Sequence, residues 1–328
     1  MRSSTSKTLS DLALTAEADR LCITCPDGTL RRELCRLLHA GQLVSPWRGM
    51  FAVTDLWREL KPPEQQRRIV RTLAKRYPEW TFSHLTAALM HGLEVSYHDL
   101  MPVHLAVGPD CRTKSNRKVL RHPMSEEEFA IADGVRVTTL KQTALDCMVE
   151  LDFRRGLAIA DSALRVGGLS RAELIRYIKS RTDVYGWERA LDAAAWADPL
   201  AANGGESVAR AVMIEEGFAL PTLQKEVPNA IDGHGVYYAD FYWELPDGTE
   251  VVGELDGLDK YYDPSMTGGR SVAQVMANER RRESRIGAAG MRVVRFSYDE
   301  VEDVEKFSRI LGAYGIPRGP SRPRGRRH

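Results

Sequence analysis

The sequence predicts an α/β protein made of several domains, and three observations support this. The chain has 328 residues, enough for two or three domains of about 100–200 residues each. Apolar residues make up 43% and charged residues 28%, an ordinary composition for a soluble globular protein. Helical and strand-like patterns alternate along the whole chain. A helix and a short hairpin come first, and the order helix, three strands, helix, strand, helix comes last.

Charge and cysteine content exclude some classes of protein. The net charge is +1, so any binding of nucleic acid must come from local basic patches. Five scattered cysteines do not form a disulfide framework. Cys22 and Cys25 form a lone CxxC, which favours buried structural thiols over a zinc site. No apolar run has the length of a signal or a membrane span, so we predict a cytoplasmic protein without a membrane partner.

Residues 1–60 are predicted to form a winged helix-turn-helix, a DNA-binding domain. In LRRELCRLLHAGQLVSPWRGMFAV, leucines repeat at helical spacing and Gly41 ends the helix. Two short strand-like pieces follow, QLVSP and GMFAV. Arg31, Arg32 and Arg36 lie on the exposed face of the helix, which could enter a major groove about 12 Å wide. Arg48 at the hairpin tip would be the wing contact. The alternative is an ordinary solvated face on a small helical domain.

Residues 61–200 are predicted to form an α+β middle domain. A basic helix follows Pro62-Pro63, VHLAV is a short strand, and GVRVTTLKQTALDCMVEL indicates strand, turn and helix. Two further helices are separated at Gly167-Gly168. Four histidines stand out as candidate ligands: His84, His91, His98 and His104. They do not share the short spacing of a metal motif, so no metal site is predicted there.

Residues 201–314 contain the αβββαβ pattern. GGESVARAVMIEEGF is a helix, TLQKEVP, VYYADFYWEL and TEVVGELDG are strands, and VAQVMANERRRESRIGAAG is a long basic helix. MRVVRFS is the last strand, and one final helix follows. The tail, residues 315–328, is rich in arginine, proline and glycine, so we expect it to be disordered. Its arginines are Arg318, Arg322, Arg324, Arg326 and Arg327.

One hairpin of this region brings carboxylates together. Pro246-Asp247-Gly248 suits a three-residue loop with Gly248 in the left-handed region. That loop sets Leu245 opposite Thr249 and, pair by pair, Asp240 opposite Glu254. Asp256 shares their face because side chains alternate along a strand. The other face is apolar and is the predicted core: Ala239, Phe241, Trp243, Val251 and Leu255.

Carboxylates on paired strands repel each other unless a proton, a basic group or a cation compensates them. Mg²⁺ takes one or two carboxylates together with water and phosphate oxygens. This is the arrangement that metal-assisted phosphodiester hydrolysis requires. The alternative is a solvent-exposed acidic face that only aids solubility.

These residues resemble the restriction-endonuclease-like, PD-(D/E)xK nuclease fold, and within it the very-short-patch-repair endonuclease-like domains. The likeness covers residues 201–300 and rests on Asp240, Glu254-Leu255-Asp256-Gly257, Lys260 and GMRVVRF. It implies that Asp240 and Glu254 bind Mg²⁺ (or Mn²⁺) and that Glu206 binds the cation or a water beside it. The wider superfamily has lysine where this chain has Asp256, and Lys260 would replace that charge.

Residues 20–170 resemble the AbiEi-type antitoxins of bacterial toxin–antitoxin systems. The likeness implies that the winged helix binds promoter DNA.

Two functions follow from these resemblances. The first is a Mg²⁺-dependent DNA endonuclease aimed by the winged helix, with Arg280 and Arg281 of the basic helix on the DNA backbone. The second is a repressor with a silent nuclease-like domain, with a cognate toxin or a second copy as partner. A purely structural protein is the third alternative.

Overall fold

The computed structural model describes residues 2–25, 28–124, 128–228, 236–256, 274 and 287–319. In these residues the protein is mixed α/β, with its strands in three sheets, so the predicted α/β class is confirmed. The chain divides into two units, Met1–Cys147 and Met148–His328. The predicted boundaries after residues 60, 200 and 314 stay predictions. None of the described helices is both long and apolar enough to span a membrane.

The first unit begins with a small helical domain built on a three-stranded sheet. Its elements are α1 (Arg2–Ala18), β1 (Ile23–Thr24), α2 (Gly28–His39), β2 (Leu43–Trp47), β3 (Met50–Val53) and α3 (Thr54–Glu59). The strand order is β1-β3-β2. Leu30 and Leu34 of α2 are buried against Leu43 and Phe51, as the leucine spacing predicts. Gly41, with φ of 72°, ends the helix because its lack of a side chain permits the left-handed conformation.

The rest of the first unit surrounds a five-stranded sheet in the order β6-β5-β4-β8-β7. Its strands are β4 (Thr81–Phe82), β5 (Val103–Val107), β6 (Val119–Pro123), β7 (Phe129–Ala132) and β8 (Val135–Thr138). Its helices are α4 (Pro62–Arg76), α5 (His84–Met90), a 3-10 turn (Tyr97–Asp99) and α6 (Leu140–Glu150). Strand β5 is parallel to β6 and antiparallel to β4.

The second unit carries helices before and after a four-stranded sheet. The elements are α7 (Phe153–Arg165), α8 (Arg171–Lys179), α9 (Trp187–Trp196), α10 (Gly204–Glu216), β9 (Thr222–Pro228), β10 (Val236–Glu244), β11 (Glu250–Asp256), β12 (Arg292–Ser297), α11 (Tyr298–Glu302) and α12 (Val304–Ala313). The strand order is β12-β11-β10-β9, with β11 and β12 parallel. Helices α10 and α12 supply Val212 and Phe307 to the core beneath the sheet. A buried ion pair between Arg210 and Asp161, at 2.7 Å, joins α10 to α7.

Two features at the C-terminal end differ from the sequence-based expectation. The predicted final helix is two helices, because Asp303 leaves helical geometry and accepts a hydrogen bond from Lys306 N at 3.0 Å, which caps α12. The tail was predicted to be disordered from residue 315, but residues 317 and 318 make defined hydrogen bonds. Arg318 donates from Nε to the carbonyl oxygen of Glu216 at 2.8 Å, and Ala219 N donates to Pro317 O at 2.8 Å. Arg322, Arg324, Arg326 and Arg327 lie outside the described residues.

Candidate functional site

The hairpin of β10 and β11 has the register that its turn predicts. Leu245 N donates to Thr249 O at 2.8 Å, and Gly248 has φ of 82°. The strands then pair Trp243 with Val251 and Phe241 with Gly253, so the next pair in this register is Asp240 and Glu254. The Asp240 side chain also crosses to β11, where its Oδ2 accepts from Leu255 N at 3.0 Å. The paired residues therefore follow the predicted register as far as Phe241 and Gly253, and the apposition of the two carboxylates stays a prediction from that register.

The same line of residues continues across the outer strands. Glu254 is the register partner of Arg295 on parallel strand β12. On the other side, Asp240 falls between the paired residues Ala239 and Phe241, which places it level with Gln224 on β9. Gln224, Asp240, Glu254 and Arg295 thus form a line across four neighbouring strands, here called the polar row. Gln224 and Arg295 are the members that the sequence analysis missed.

Burial argues against a merely solvated acidic face. Glu254 is 5% exposed, and its neighbour Val252 is fully buried. Asp240 is half-buried. A carboxylate removed from water needs hydrogen bonds or an opposite charge nearby, because its desolvation is otherwise too costly. Arg295, opposite Glu254, supplies a positive charge in the same line. The alternative of an exposed acidic face is therefore wrong at Glu254.

Asp256 has a different environment from the one expected. Arg295 donates from Nε to both carboxylate oxygens of Asp256, at 3.1 and 3.2 Å, and a second nitrogen completes the ion pair. A guanidinium that binds a carboxylate along one edge holds that carboxylate in place. Asp256 is therefore a partner of Arg295, whereas the sequence placed it with Asp240 and Glu254 as a third converging carboxylate.

Glu206 lies in the first turn of α10 and is 3% exposed. Its oxygens accept from Ala202 N and Asn203 Nδ2, each at 2.7 Å, and from Gln224 Nε2 at 3.4 Å. Gln224 therefore connects Glu206 to the polar row. Asn203 caps the same helix, with its Oδ1 accepting from Glu206 N at 3.0 Å. These contacts fix the Glu206 carboxylate at the end of the sheet.

Two observations limit which of these side chains could bind a cation or act as a base. Among the described residues, the carboxylates do not form a set of three with ligand atoms within 4.8 Å of one another. Two neighbouring carboxylates, Asp240 and Glu254, still suit Mg²⁺, which keeps several waters in protein sites. Tyr242 is not a candidate base, because its hydrogen bond to Glu250 raises its pKa to about 12. Lys260, Arg280 and Arg281 lie outside the described residues.

The four arginines that were predicted to contact DNA from the winged helix are all on the surface of the first unit. Arg31, Arg32 and Arg36 are exposed on α2. Arg48 is exposed at the hairpin tip, where Trp47 pairs with Met50 and Gly49 has φ of 74°. Arg36 also binds Glu33, with Nε at 2.9 Å from the carboxylate, which neutralises part of its charge. Arg31, Arg32 and Arg48 are consequently the better candidates for phosphate contacts.

Cys22 of the CxxC pair is a buried thiol, whereas Cys25 is half-buried. All five cysteines of the chain are free. Cys22 is 3% exposed, and burial raises the pKa of its thiol to about 11. Burial therefore keeps the Cys22 thiol protonated near neutral pH, which does not favour its use as a nucleophile.

Comparison with known proteins adds little to this description. No protein-family model matches the chain. Two similar proteins, from Mycobacterium tuberculosis strains CDC 1551 / Oshkosh and ATCC 25618 / H37Rv, are 28% identical over 182 residues. The match covers 55% of this chain and 64% of each relative, and both relatives are described as uncharacterized proteins. Function must therefore be argued from the residues of the chain itself.

Proposed function

We propose that the protein binds DNA through α2 and the β2–β3 hairpin and hydrolyses DNA phosphodiester bonds at the polar row with Mg²⁺ or Mn²⁺. The observation that carries the proposal is the polar row itself. Extending the hairpin register by one residue sets Asp240 opposite Glu254, and Arg295 is the register partner of Glu254 on the next strand. Two acidic side chains and one basic side chain are the groups that cation-assisted attack on a phosphate needs.

Each residue of the site has a separate role in this proposal. Asp240 and Glu254 would hold the cation. When bound, the cation would polarise a phosphoryl oxygen and lower the pKa of an attacking water. Gln224 links Glu206 to the row through its hydrogen bond and orients that carboxylate. Arg295 keeps positive charge beside the acidic pair, where it would stabilise charge on the phosphate. Lys260 is a further candidate, from the resemblance to the nuclease family alone.

The family assignments remain part of the proposal. A helix that precedes three antiparallel-paired strands, with a later strand parallel to β11, supports the resemblance to the PD-(D/E)xK nucleases. A helix followed by a two-stranded hairpin with an exposed basic tip supports the winged helix of the AbiEi-type antitoxins. DNA is the partner that both resemblances share.

A second function is favoured by one observation. The carboxylates of Glu206 and Asp256 already have strong partners, since backbone and amide donors bind Glu206 and a guanidinium binds Asp256. Groups held in this way are less available to a cation. This favours a DNA-binding repressor of the antitoxin type with a silent nuclease-like domain. A cognate toxin or a second copy of the chain would then be its partner.

Cleavage of supercoiled plasmid separates the two functions. The parent protein with Mg²⁺ or Mn²⁺ is expected to nick the plasmid, and EDTA is expected to stop it. Asp240→Asn and Glu254→Gln should abolish nicking because each removes a cation ligand. Glu244→Gln is the matched control, since Glu244 is exposed on the same strand as Asp240. Its activity should equal that of the parent.

Two outcomes would count against the nuclease. If correctly folded parent protein binds plasmid and leaves it intact with every cation, the repressor is the better account. Equal nicking by the parent, Asp240→Asn and Glu254→Gln would mean that the activity comes from elsewhere in the protein or from a contaminant.

A further inference from the structure

Three histidines of the first unit meet at one end of its five-stranded sheet. His84 is the first residue of α5 and is separated from β4 by Ser83, while His104 lies on β5 and His122 on β6. Ser83 N donates to His104 O at 3.1 Å, which brings the start of α5 beside β5. Strands β5 and β6 pair Ala106 with His122, so His104 and His122 share a face and are diagonal neighbours.

The three imidazoles are close enough to share one ligand. Their ligand nitrogens lie within 4.8 Å of one another. His104 Nδ1 and His122 Nε2 are 3.0 Å apart, and the ring centroids of His84 and His122 are 3.6 Å apart. Two nitrogens bound to tetrahedral Zn²⁺ at about 2.0–2.1 Å are separated by about 3.3 Å. The observed distance between His104 and His122 is close to this separation.

The surroundings of the cluster favour neutral imidazoles. Burial lowers the pKa of His84, His104 and His122, and that of His104 falls to about 4. Each ring is therefore uncharged near neutral pH and has one nitrogen lone pair. Neutral imidazole is the form that binds metals, so no proton has to be removed from the protein first.

The carboxylate of Asp146 lies near the cluster, and carboxylates are common next to the ligating rings of histidine metal sites. Asp146 Oδ2 is 3.8 Å from His84 Nδ1, which is beyond hydrogen-bond distance, and Ser83 Oγ is 3.1 Å from the same nitrogen. Gln142 Nε2 donates to the other oxygen of Asp146 at 2.6 Å. Outer carboxylates of this kind fix the orientation of a ligating ring. His84 also has φ of 48°, an uncommon conformation for a residue with a side chain. Such strain is often retained at functional sites.

We propose that His84, His104 and His122 form a binding site for a transition-metal ion of the Zn²⁺ type, with Asp146 as a positioning residue for His84. Imidazole ligands suit Zn²⁺ and its neighbours and do not suit Mg²⁺. Binding requires the rings of His104 and His122 to turn from each other toward the ion. The ring that donates the hydrogen bond between them then shifts its proton to its other nitrogen. The bound ion would tie β5, β6 and the start of α5 together.

The competing interpretation is a packed core cluster without a metal. Three stacked imidazoles, two of them hydrogen-bonded to each other, could stabilise the sheet end by packing alone. Metal binding and packing predict different results with the metal ions themselves. Only a metal site binds one ion per chain and becomes more stable when the ion is added.

The test uses the full-length protein, stripped with EDTA and titrated with Co²⁺ and then Zn²⁺. With excess Mg²⁺ present to occupy the polar row, we expect one Co²⁺ per chain, with visible absorption bands typical of tetrahedral coordination by nitrogen. Zn²⁺ should displace Co²⁺ and raise the melting temperature. His122→Gln should remove the bands, and it should be tolerated because His122 is only half-buried. His98→Gln is the matched control, since His98 is exposed on the 3-10 turn.

Further measurements distinguish this site from the polar row and control for variants that fail to fold. Excess Mg²⁺ should leave the Co²⁺ bands unchanged, because imidazole ligands do not suit Mg²⁺, whereas Mg²⁺ would compete with Co²⁺ at the carboxylates of the polar row. Asp146→Asn should weaken Co²⁺ binding by about 10–100-fold, as expected for an outer carboxylate. The proposal is overturned if the parent protein, which needs no substitution to be tested, binds much less than one Co²⁺ or Zn²⁺ per chain. It is equally overturned if folded His122→Gln binds Co²⁺ as the parent does.

Discussion

Arg295 has two neighbours of opposite charge at the polar row. It bonds to Asp256 through two nitrogens and lies opposite Glu254 in the strand register. The side chains of Arg295 and Asp256 are 24% and 32% exposed, so the pair is neither fully solvated nor fully desolvated. An ion pair of this kind should contribute more than a surface pair, whose contribution is usually below about 1 kcal/mol.

Arg295→Gln is expected to lower the free energy of unfolding by about 1–2 kcal/mol, because Asp256 loses its ion-pair partner and Glu254 loses the positive charge opposite it. Urea unfolding at neutral pH measures this loss. Excess Mg²⁺ should restore part of it, since a cation can replace the missing charge. Lys306→Gln is the control, because Lys306 pairs with Glu300 at 3.0 Å on the surface. Equal losses for both variants would contradict a special role for Arg295.

Residues of the polar row that lie close together in the chain were predicted from the sequence. Residues that lie on more distant strands were not. Asp240 and Glu254 were predicted because a tight turn fixes the register of the hairpin that carries both. Arg295 and Gln224 come from strands outside that hairpin, and their register depends on tertiary packing. Arg295 does alternate with the buried Val294 and Phe296, so its face could have been inferred.

The histidine cluster was likewise not predictable from the sequence, because tertiary structure brings its residues together. The sequence analysis set aside His84 and His104 because no short metal spacing joins them. The structure joins them through strand pairing and adds His122, which the sequence did not single out. Ligands that come from three separate elements have no characteristic spacing, so a spacing rule could not find them.

At the scale of elements, strand β11 is shaped by a close approach of two aromatic side chains. Gly253 lies opposite Phe241, and a Cβ atom there would be 2.9 Å from the Trp243 ring and 3.1 Å from Phe241 Cβ. The Trp243 ring is held in place, with Nε1 donating to Ala219 O at 2.8 Å. Because Gly253 has no side chain, Phe241 and Trp243 can pack closely against this strand in the core. Glu254, the next residue, belongs to the polar row.

Gly253→Ala should lower the free energy of unfolding by about 1–3 kcal/mol, because the added methyl group overpacks a buried site. Gly312→Ala, in α12 of the same unit, has open space for the methyl group. It should raise stability by up to about 1 kcal/mol, since alanine is the better helix former. Urea denaturation of the two variants gives the comparison. A neutral or stabilising Gly253→Ala would contradict the packing account of this strand.

Elements were predicted well where a local pattern determines them. The hairpin strands, the leucine stripe of α2 and the division of two helices at Gly167-Gly168 are all present. The last helix was predicted as one piece because the apolar spacing continues through Asp303. The break there comes from a side-chain cap on Lys306 N, which competes with the helical pattern.

At the scale of the whole molecule, the charge distribution limits how DNA can be bound. The net charge is only +1, so attraction to DNA must come from a local group of arginines. Arg31, Arg32 and Arg48 are exposed on one small domain of the first unit. Each phosphate that they neutralise should add about 0.9 to the slope of log affinity against log salt.

The triple variant Arg31→Gln, Arg32→Gln, Arg48→Gln is therefore expected to bind DNA more weakly at low salt. Its salt slope should be smaller than that of the parent by about 2–3. Fluorescence anisotropy with a labelled duplex over a range of salt concentrations measures both quantities. The matched control replaces three exposed arginines of the second unit, Arg171, Arg176 and Arg309. An unchanged slope in the first variant, or an equal change in the control, would remove α2 and the hairpin as the interface.

The proposed nuclease depends on a divalent-cation site at the polar row. Cation binding tests it more directly than cleavage, because cleavage also needs the right DNA. The measurement is the binding of Mn²⁺ to DNA-free protein, followed by electron paramagnetic resonance. The parent and Glu244→Gln should bind Mn²⁺, and Asp240→Asn and Glu254→Gln should lose that binding. A folded parent protein that binds no Mn²⁺, or variants that bind it equally well, would contradict the claim.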